Sequence, residues 1–222
     1  MIPWLGEEHV FSPLDTALTE PNGLLTAGGD LNPQRILAAY RHGIFPWYSA
    51  GEPILWWSPD PRMVLLPGEL KISRSLAKIL RNAIYEVRLD TALDDVIHAC
   101  AGKPRAGQAG TWITAEMQQS YRELHRLGYA HSVETWIAGK LAGGLYGIAL
   151  GQAFYGESMF ADARDASKIA LAHLCAHLKQ RGFGIIDCQM ETSHLASLGA
   201  RPIPRHDFAA RLDQLCPRSN AP

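Results

Sequence analysis

Between residues 131 and 160 the chain reads as three extended runs separated by turn residues. Residues 131–137, His131-Ser132-Val133-Glu134-Thr135-Trp136-Ile137, read as a comparatively polar strand. Two apolar runs follow, 141–150 and 153–160, rich in Gly and aromatics. Gly139 marks the first turn, and Leu150-Gly151-Gln152 predicts a tight hairpin at the second. Glycine inside a strand weakens it, so the cluster Gly143, Gly144, Gly147 and Gly156 implies that a backbone or a ligand comes close, as at the floor of a binding site. The pattern then changes period. Over 166–181, Ile169, Leu174 and Leu178 fall on one helical face; Gly182 and Gly184 end that helix, and 185–189 forms a short buried strand. Upstream, 62–66 and 85–89 read as strands. Ser73 caps a helix to about residue 82, 93–100 is a helix, and Thr114 caps another through about residue 127. Residues 103–110, with three of Gly or Pro, form a loop. Residues 194–198 make a helical turn and Gly199 begins the exit. Three antiparallel strands, a long helix and a further strand give an α+β plan with a mixed sheet flanked by helices.

The first sixty residues have a different texture, rich in Pro, Gly and Trp. One helix stands out, with Asn32 as its cap, Pro33 at the first helical position and Ile36, Leu37 and Tyr40 on its apolar face. Gly43 stops it. The dense aromatics around Trp47, Trp56 and Trp57 suit a small domain that uses rings as its core, with Trp47 also placed to stack on a ligand. Neither residue before the prolines of Ser58-Pro59-Asp60-Pro61 favours helix, so this turn is the expected boundary. The expected organisation is a small aromatic-rich N-terminal domain, 1–61, and a catalytic domain, 62–222.

Composition narrows the function. With 222 residues, 47% of them hydrophobic, the chain can bury a substantial core. A formal net charge of −1 supplies no global field toward nucleic acid or membrane, so any RNA contact must be local. The best local candidate is the stripe Arg74, Lys78 and Arg81, on one face of the 73–82 helix. The N-terminus is acidic and soon broken by Pro and Gly, and every apolar run is interrupted well short of a membrane span. A soluble, cytoplasmic protein is expected. Cys100, Cys175, Cys188 and Cys216 show no CxxC spacing and read as reduced, packed thiols. His173 and His177 have the i, i+4 spacing of a metal pair but no HExxH and no third ligand, so no metal is expected.

The candidate chemistry is polar side chains set in apolar surroundings. By strand period, Asp187 and Gln189 project from one face. Glu157 ends a strand otherwise made of Phe, Tyr, Met and Gly. If the two strands are neighbours, three polar groups converge on one apolar cleft and must find partners there. Such a cleft suits an amine: carboxylates hold its positive charge and the amide carbonyl accepts a hydrogen bond from the attacking nitrogen. No Ser-His-Asp or Cys-His set is evident, so no covalent intermediate is indicated.

The order β-β-β-α-β is also that of the GNAT acyltransferase fold, whose CoA-dependent members present a glycine-rich turn to the pyrophosphate ahead of the long helix. Here that turn, 160–168, has no glycine and two aspartates, which argues against a CoA-dependent N-acetyltransferase. A non-catalytic RNA-binding module fits poorly with the near-neutral charge. Nine blocks in order carry a more specific resemblance: Glu20-Pro21-Asn22-Gly23-Leu24-Leu25, Gly28-Gly29-Asp30-Leu31, Gly43-Ile44-Phe45-Pro46-Trp47, Trp56-Trp57-Ser58-Pro59-Asp60-Pro61-Arg62, Gly110-Thr111-Trp112-Ile113-Thr114, Gly156-Glu157-Ser158-Met159-Phe160, Ala166-Ser167-Lys168, Ile186-Asp187-Cys188-Gln189 and His194-Leu195-Ala196-Ser197-Leu198-Gly199-Ala200. Together they resemble the leucyl/phenylalanyl-tRNA–protein transferase family over nearly the whole chain.

That resemblance implies a GNAT-like catalytic domain and transfer of Leu or Phe, less readily Met, from aminoacyl-tRNA to proteins with N-terminal Arg or Lys, which enter N-end rule degradation. It places Gln189 on the attacking amine, Asp187 as the group that polarises or orients it, and Glu157 as the pocket carboxylate. Trp47 and Trp112 fall near the 3′ adenosine, and Leu145, Phe154, Leu174 and Ile186 in the amino-acid pocket. Leu145 and Leu174 stand where Met and Phe are common in the family, which leaves the balance between Leu and Phe open. An aminoacyl ester is already activated, so the reaction needs no cofactor, only alignment of two substrates.

Overall fold

Side-chain oxygens open four of the helices, three of them at the caps the sequence predicts and the fourth at Thr192. In the computed structural model, which describes residues 2–6, 10–103 and 111–217, Asn32 Oδ1 accepts the Gln34 N–H at 2.9 Å. Ser73 Oγ accepts from Leu76 N–H and Thr114 Oγ1 from Met117 N–H, both at 3.2 Å. Each satisfies a backbone donor that a helix start would otherwise leave unpaired. Most of the expected loop at 103–110 lies outside the described residues.

The elements in chain order are β1 (Trp4–Leu5), β2 (Leu24–Gly28), α1 (Pro33–Arg41), β3 (Phe45–Pro46), β4 (Leu55–Trp57), β5 (Arg62–Leu65), α2 (Arg74–Asn82), β6 (Glu86–Leu89), α3 (Leu93–Gly102), α4 (Ala115–Arg126), β7 (Ala130–Ile137), β8 (Lys140–Leu150), β9 (Ala153–Ala161), α5 (Ala166–Gln180), β10 (Ile185–Asp187), α6 (Ser193–Ser197), β11 (Arg201–Ile203) and α7 (Arg205–Leu215). They form a four-stranded sheet, β1-β2-β4-β3, and a seven-stranded sheet, β11-β5-β10-β9-β8-β7-β6. The larger sheet is mixed: β9 and β10 pair in parallel across the α5 connection and its other pairs are antiparallel. The α+β plan with helix-flanked mixed sheet is the one the sequence predicts. Two elements, β11 and α7, occupy what reads as an exit in the sequence.

The two faces of the larger sheet carry different cores. Met63, Leu65, Leu145, Phe154 and Ile186 point to one face, where Leu171, Leu174 and Leu178 of α5 cover them. Val64, Tyr146, Tyr155 and Ile185 point to the other, into a cluster with α3, α4, α7 and the first sheet, including Tyr40 and the fully buried Trp56. The N-terminal sheet is therefore packed as part of that second layer. Trp56 donates its ring N–H to the Gly28 C=O at 2.9 Å, which satisfies the one polar atom of its side chain.

The glycine-rich runs mark close approach of protein to protein. A Cβ on Gly143 would lie 2.6 Å from the Ala166 Cβ at the start of α5. One on Gly147 would lie 2.2 Å from the Tyr155 carbonyl and 2.6 Å from the Phe154 ring. Of the four strand glycines, only Gly156 lines the cavity described next, so the reading of the whole run as a binding-site floor narrows to that residue.

Candidate active site

Two irregularities in neighbouring strands create the site. β9 and β10 pair only over Ala153–Tyr155 and Ile185–Asp187, and beyond that point they part. On β9, the register against β8 steps from Gly147 opposite Gly156 to Tyr146 opposite Ser158, so Glu157 is the extra residue of a bulge. After β10, the Cys188 N–H donates to the Met63 C=O while the Met63 N–H donates to the Gln189 C=O, so two residues again face one. A bulge re-aims the side chain it carries. Here the two bulges turn Glu157 and Gln189 toward each other, with Gln189 Nε2 3.5 Å from Glu157 Oε1.

This overturns the strand-period expectation for Asp187 and Gln189. The strand ends at Asp187, and Gln189 takes φ +56. Asp187 Oδ1 accepts the Gln189 N–H at 2.9 Å, closing a local turn. Asp187 therefore stays on the face of Ile185, while Gln189 crosses to the cavity.

The cavity has a volume of about 650 Å³, within the usual range for small-ligand sites. Its apolar lobe is built from Leu145, Phe154, Leu174 and Ile186, all predicted, with Leu65 and Leu171 beside them. Trp47 and Trp112 are half-buried at its rim. Trp47 is held there by an edge-on contact with Trp57, whose ring N–H donates to the Trp47 carbonyl at 2.7 Å. Glu157 and Gln189 supply the polar end. Arg74, Lys78 and Arg81 lie elsewhere, exposed on α2.

Glu157 is half-buried and receives two phenols. Tyr40 donates to Oε1 and Tyr121 to Oε2, each at 2.6 Å, and the two hydroxyls lie 3.0 Å apart. Burial disfavours its charge and pushes its pKa up to about 7, against the lowering effect of the Tyr121 and Tyr40 hydrogen bonds; Asp187 adds a further upward push. The phenols themselves are driven well above their ordinary value, first by burial and next by the Glu157 charge, so both remain donors. A carboxyl poised near neutrality can exchange a proton with an amine.

Asp187 is of another kind. It is 0% exposed and does not line the cavity. Arg62 meets it with two contacts, Nε to Oδ1 at 2.8 Å and Nη2 to Oδ2 at 2.6 Å. Of the three polar groups expected to converge, two meet at the cavity and the third stands behind them.

Tyr40, Tyr121 and Arg62 are absent from the sequence-derived site. Tyr40 reads as part of an apolar helix face, and its partner Glu157 is 117 residues away. Arg62 did carry a signal: a guanidinium at the head of the run Met63-Val64-Leu65-Leu66 is almost never fully buried unless paired.

Cys188 lines the cavity, but burial, then the Asp187 charge, pushes its thiol far above the ordinary range, which leaves it a poor nucleophile. At the α5 N-terminus, Asp165 sits with φ +61 and pairs with Lys168 at 2.8 Å. A carboxylate there is unfavourable for a pyrophosphate. Among the described residues no group of His, Cys, Asp or Glu is arranged to hold a metal, and no helix is long and apolar enough to cross a membrane.

A family model described as leucyl/phenylalanyl-tRNA protein transferase matches residues 64–213, and one described as the N-terminal domain of that transferase matches residues 29–60. A Chromobacterium violaceum protein named leucyl/phenylalanyl-tRNA–protein transferase is 64% identical over 214 residues, covering 96% of this chain and 91% of the relative. A Stutzerimonas stutzeri protein of the same name is 57% identical over 222 residues, covering 100% and 98%. Among solved structures, a GCN5-related N-acetyltransferase from Kribbella flavida aligns with a TM-score of 0.39 at 12% identity, over 74% of this chain and 58% of that one.

Proposed function

Because the chain belongs to the leucyl/phenylalanyl-tRNA protein transferase family, and is an aminoacyltransferase, we propose that its cavity joins the ester end of a Leu- or Phe-charged tRNA to the N-terminal amine of a protein beginning with Arg or Lys. Met-tRNA is a poorer donor. The product is a protein marked for N-end rule degradation, and the working place is the cytoplasm, where charged tRNA is found.

The observation that carries this reading is the pairing of an apolar lobe with the Glu157–Gln189 contact at its polar end. The aminoacyl side chain fills the lobe between Leu145, Phe154, Leu174 and Ile186. A pocket of this kind separates similar large side chains by only about 1–3 kcal/mol, so Leu, Phe and Met share it. The terminal adenosine stacks on Trp47 and Trp112, a contact worth roughly 1–3 kcal/mol per base and indifferent to tRNA sequence. Arg74, Lys78 and Arg81 contact phosphates farther along the tRNA.

At the polar end, the acceptor α-amine approaches Gln189, whose carbonyl takes a hydrogen bond from it, while Glu157 takes its proton. With α-ammonium at a pKa of about 7.7–8.0 and Glu157 near 7, that transfer is uphill by about 1 kcal/mol, small enough for both forms to be populated. The neutral nitrogen attacks the ester carbonyl. A C–N bond forms and the C–O bond to the ribose breaks; Glu157 hands the proton it took to the departing ribose oxygen, and the second proton that the nitrogen sheds as the amide forms returns to Glu157 and from there to solvent. Asp187 acts from behind by fixing the Gln189 backbone.

The test is direct. Incubation of Phe-tRNA with an Arg-initiated peptide yields a peptide heavier by one phenylalanyl residue. The reading fails if that peptide is unchanged, or if acetyl-CoA instead supplies an acetyl group to it.

A further inference from the structure

Arg62 is joined to both arms of the polar site without touching the cavity. Through Nε and Nη2 it grips Asp187, whose Oδ1 also accepts the Gln189 N–H. Through Nη1 it donates to the Gly43 carbonyl at 2.9 Å. Gly43 ends the turn after α1, where its N–H donates to the Tyr40 carbonyl at 3.0 Å, and Tyr40 holds Glu157.

Two aromatic rings also hold the guanidinium. Phe45 of β3 lies 4.7 Å from its central carbon and Phe208 of α7 lies 4.8 Å away. Two aromatic faces and a bidentate carboxylate fit a planar guanidinium, and an ammonium cannot reproduce them. The contacts draw together four distant parts of the chain: the α1 turn, β5, β10 and the C-terminal helix. Gly43 makes the arrangement possible, since a Cβ there would come within 3.0 Å of the Phe208 ring.

We propose that Arg62 is a positioning residue for aminoacyl transfer, which sets the placement of Gln189 relative to Glu157 through Asp187 on one side and the Gly43 turn on the other, with α7 closing over it. A displacement of about 1 Å at reacting groups can cost a factor of about 100 in rate, and a carboxylate freed from its fork no longer presents Oδ1 to the Gln189 N–H. This inference rests on the role given above to Gln189, so Gln189→Ala belongs in the same experiment.

Two variants separate positioning from simple support of the fold. Arg62→Lys keeps a charge opposite Asp187 but cannot make the paired contacts. Arg62→Met combined with Asp187→Leu removes both charges together, an exchange that is often tolerated or stabilising in protein interiors. Thermal unfolding is followed alongside kcat and KM for Phe-tRNA. Both variants unfold cooperatively, kcat drops roughly 10- to 100-fold, and KM for Phe-tRNA stays within about a factor of two, because the lobe and the tryptophans are untouched. Wild-type kcat in either folded variant overturns the proposal. So does failure of both to fold, which makes the pair a prop of the fold and nothing more. Full activity in Gln189→Ala overturns instead the reading on which the proposal rests.

Discussion

Glu157 and Asp187 stand at the same parting of two strands, yet their surroundings assign them opposite tasks. Asp187 is sealed and faces a guanidinium, so its charge is balanced inside the protein. Glu157 faces two phenols, an amide and a cavity. Neutral donors support its anion without neutralising it, and burial lifts its pKa to about 7. The identity of the partner, more than depth of burial, separates a carboxylate that holds structure from one that can trade protons.

Removing one partner should expose that difference most strongly at Asp187. In Asp187→Ala the Arg62 charge remains buried with its fork empty, which costs about 3–5 kcal/mol. Thermal unfolding at pH 8 is expected to drop by many degrees, with loss of transfer. A melting temperature within two or three degrees of wild type, roughly what 1 kcal/mol gives in a chain of this size, would show that Asp187 is not held as an ion pair in solution.

Glu157→Gln should move stability in the other direction. The folded protein keeps the Glu157 proton up to about pH 7, while the unfolded chain releases it near its ordinary value of about 4.5. Between those values the native state binds more protons than the unfolded state, so wild-type stability declines as pH rises through that window and then levels. Glutamine removes the titration. The variant is expected to match wild type near pH 4 and to exceed it by about 3 kcal/mol at pH 8, while transfer falls by about 100-fold or more because the proton acceptor is gone. Equal pH dependence of unfolding in both proteins breaks the contrast.

The legible parts of the molecule were those with local causes. Caps at Asn32, Ser73 and Thr114, the glycine turns at Gly139 and Gly151, and the face of α5 bearing Ile169, Leu174 and Leu178 depend on neighbours within a few residues. The apolar lobe was reached through the family resemblance and not through any period: Leu145, Phe154 and Ile186 lie on three strands and Leu174 on α5. What escaped depends on interrupted or distant pairing. Strands of two to five residues in the first sheet leave little period to read. Helix α7 places only Phe208 and Leu212 deep in the core and was read as an exit. The period-two rule failed at Gln189 because a hydrogen bond from its own backbone to Asp187 ended the strand. The carboxylate seat required Tyr40 and Tyr121, and neither carries a local mark of that use.

The smallest and sharpest test of the contrast is Tyr121→Phe. The Tyr121 hydroxyl lowers the Glu157 pKa by donating to Oε2, while Tyr40 holds the other oxygen. Losing one donor leaves the burial cost in place and removes part of what opposes it, so the carboxyl keeps its proton to a higher pH. The decline of stability with pH should then extend beyond about pH 7 before levelling. Above that point the variant is less stable than wild type by about 1–3 kcal/mol, the usual range for a hydrogen bond to a charged group, with a smaller difference near pH 4. An unchanged levelling point would mean that solvent, reaching Glu157 through the cavity, replaces the phenol. In that case depth of burial would decide what each carboxylate does, and the chemistry of its partners would not.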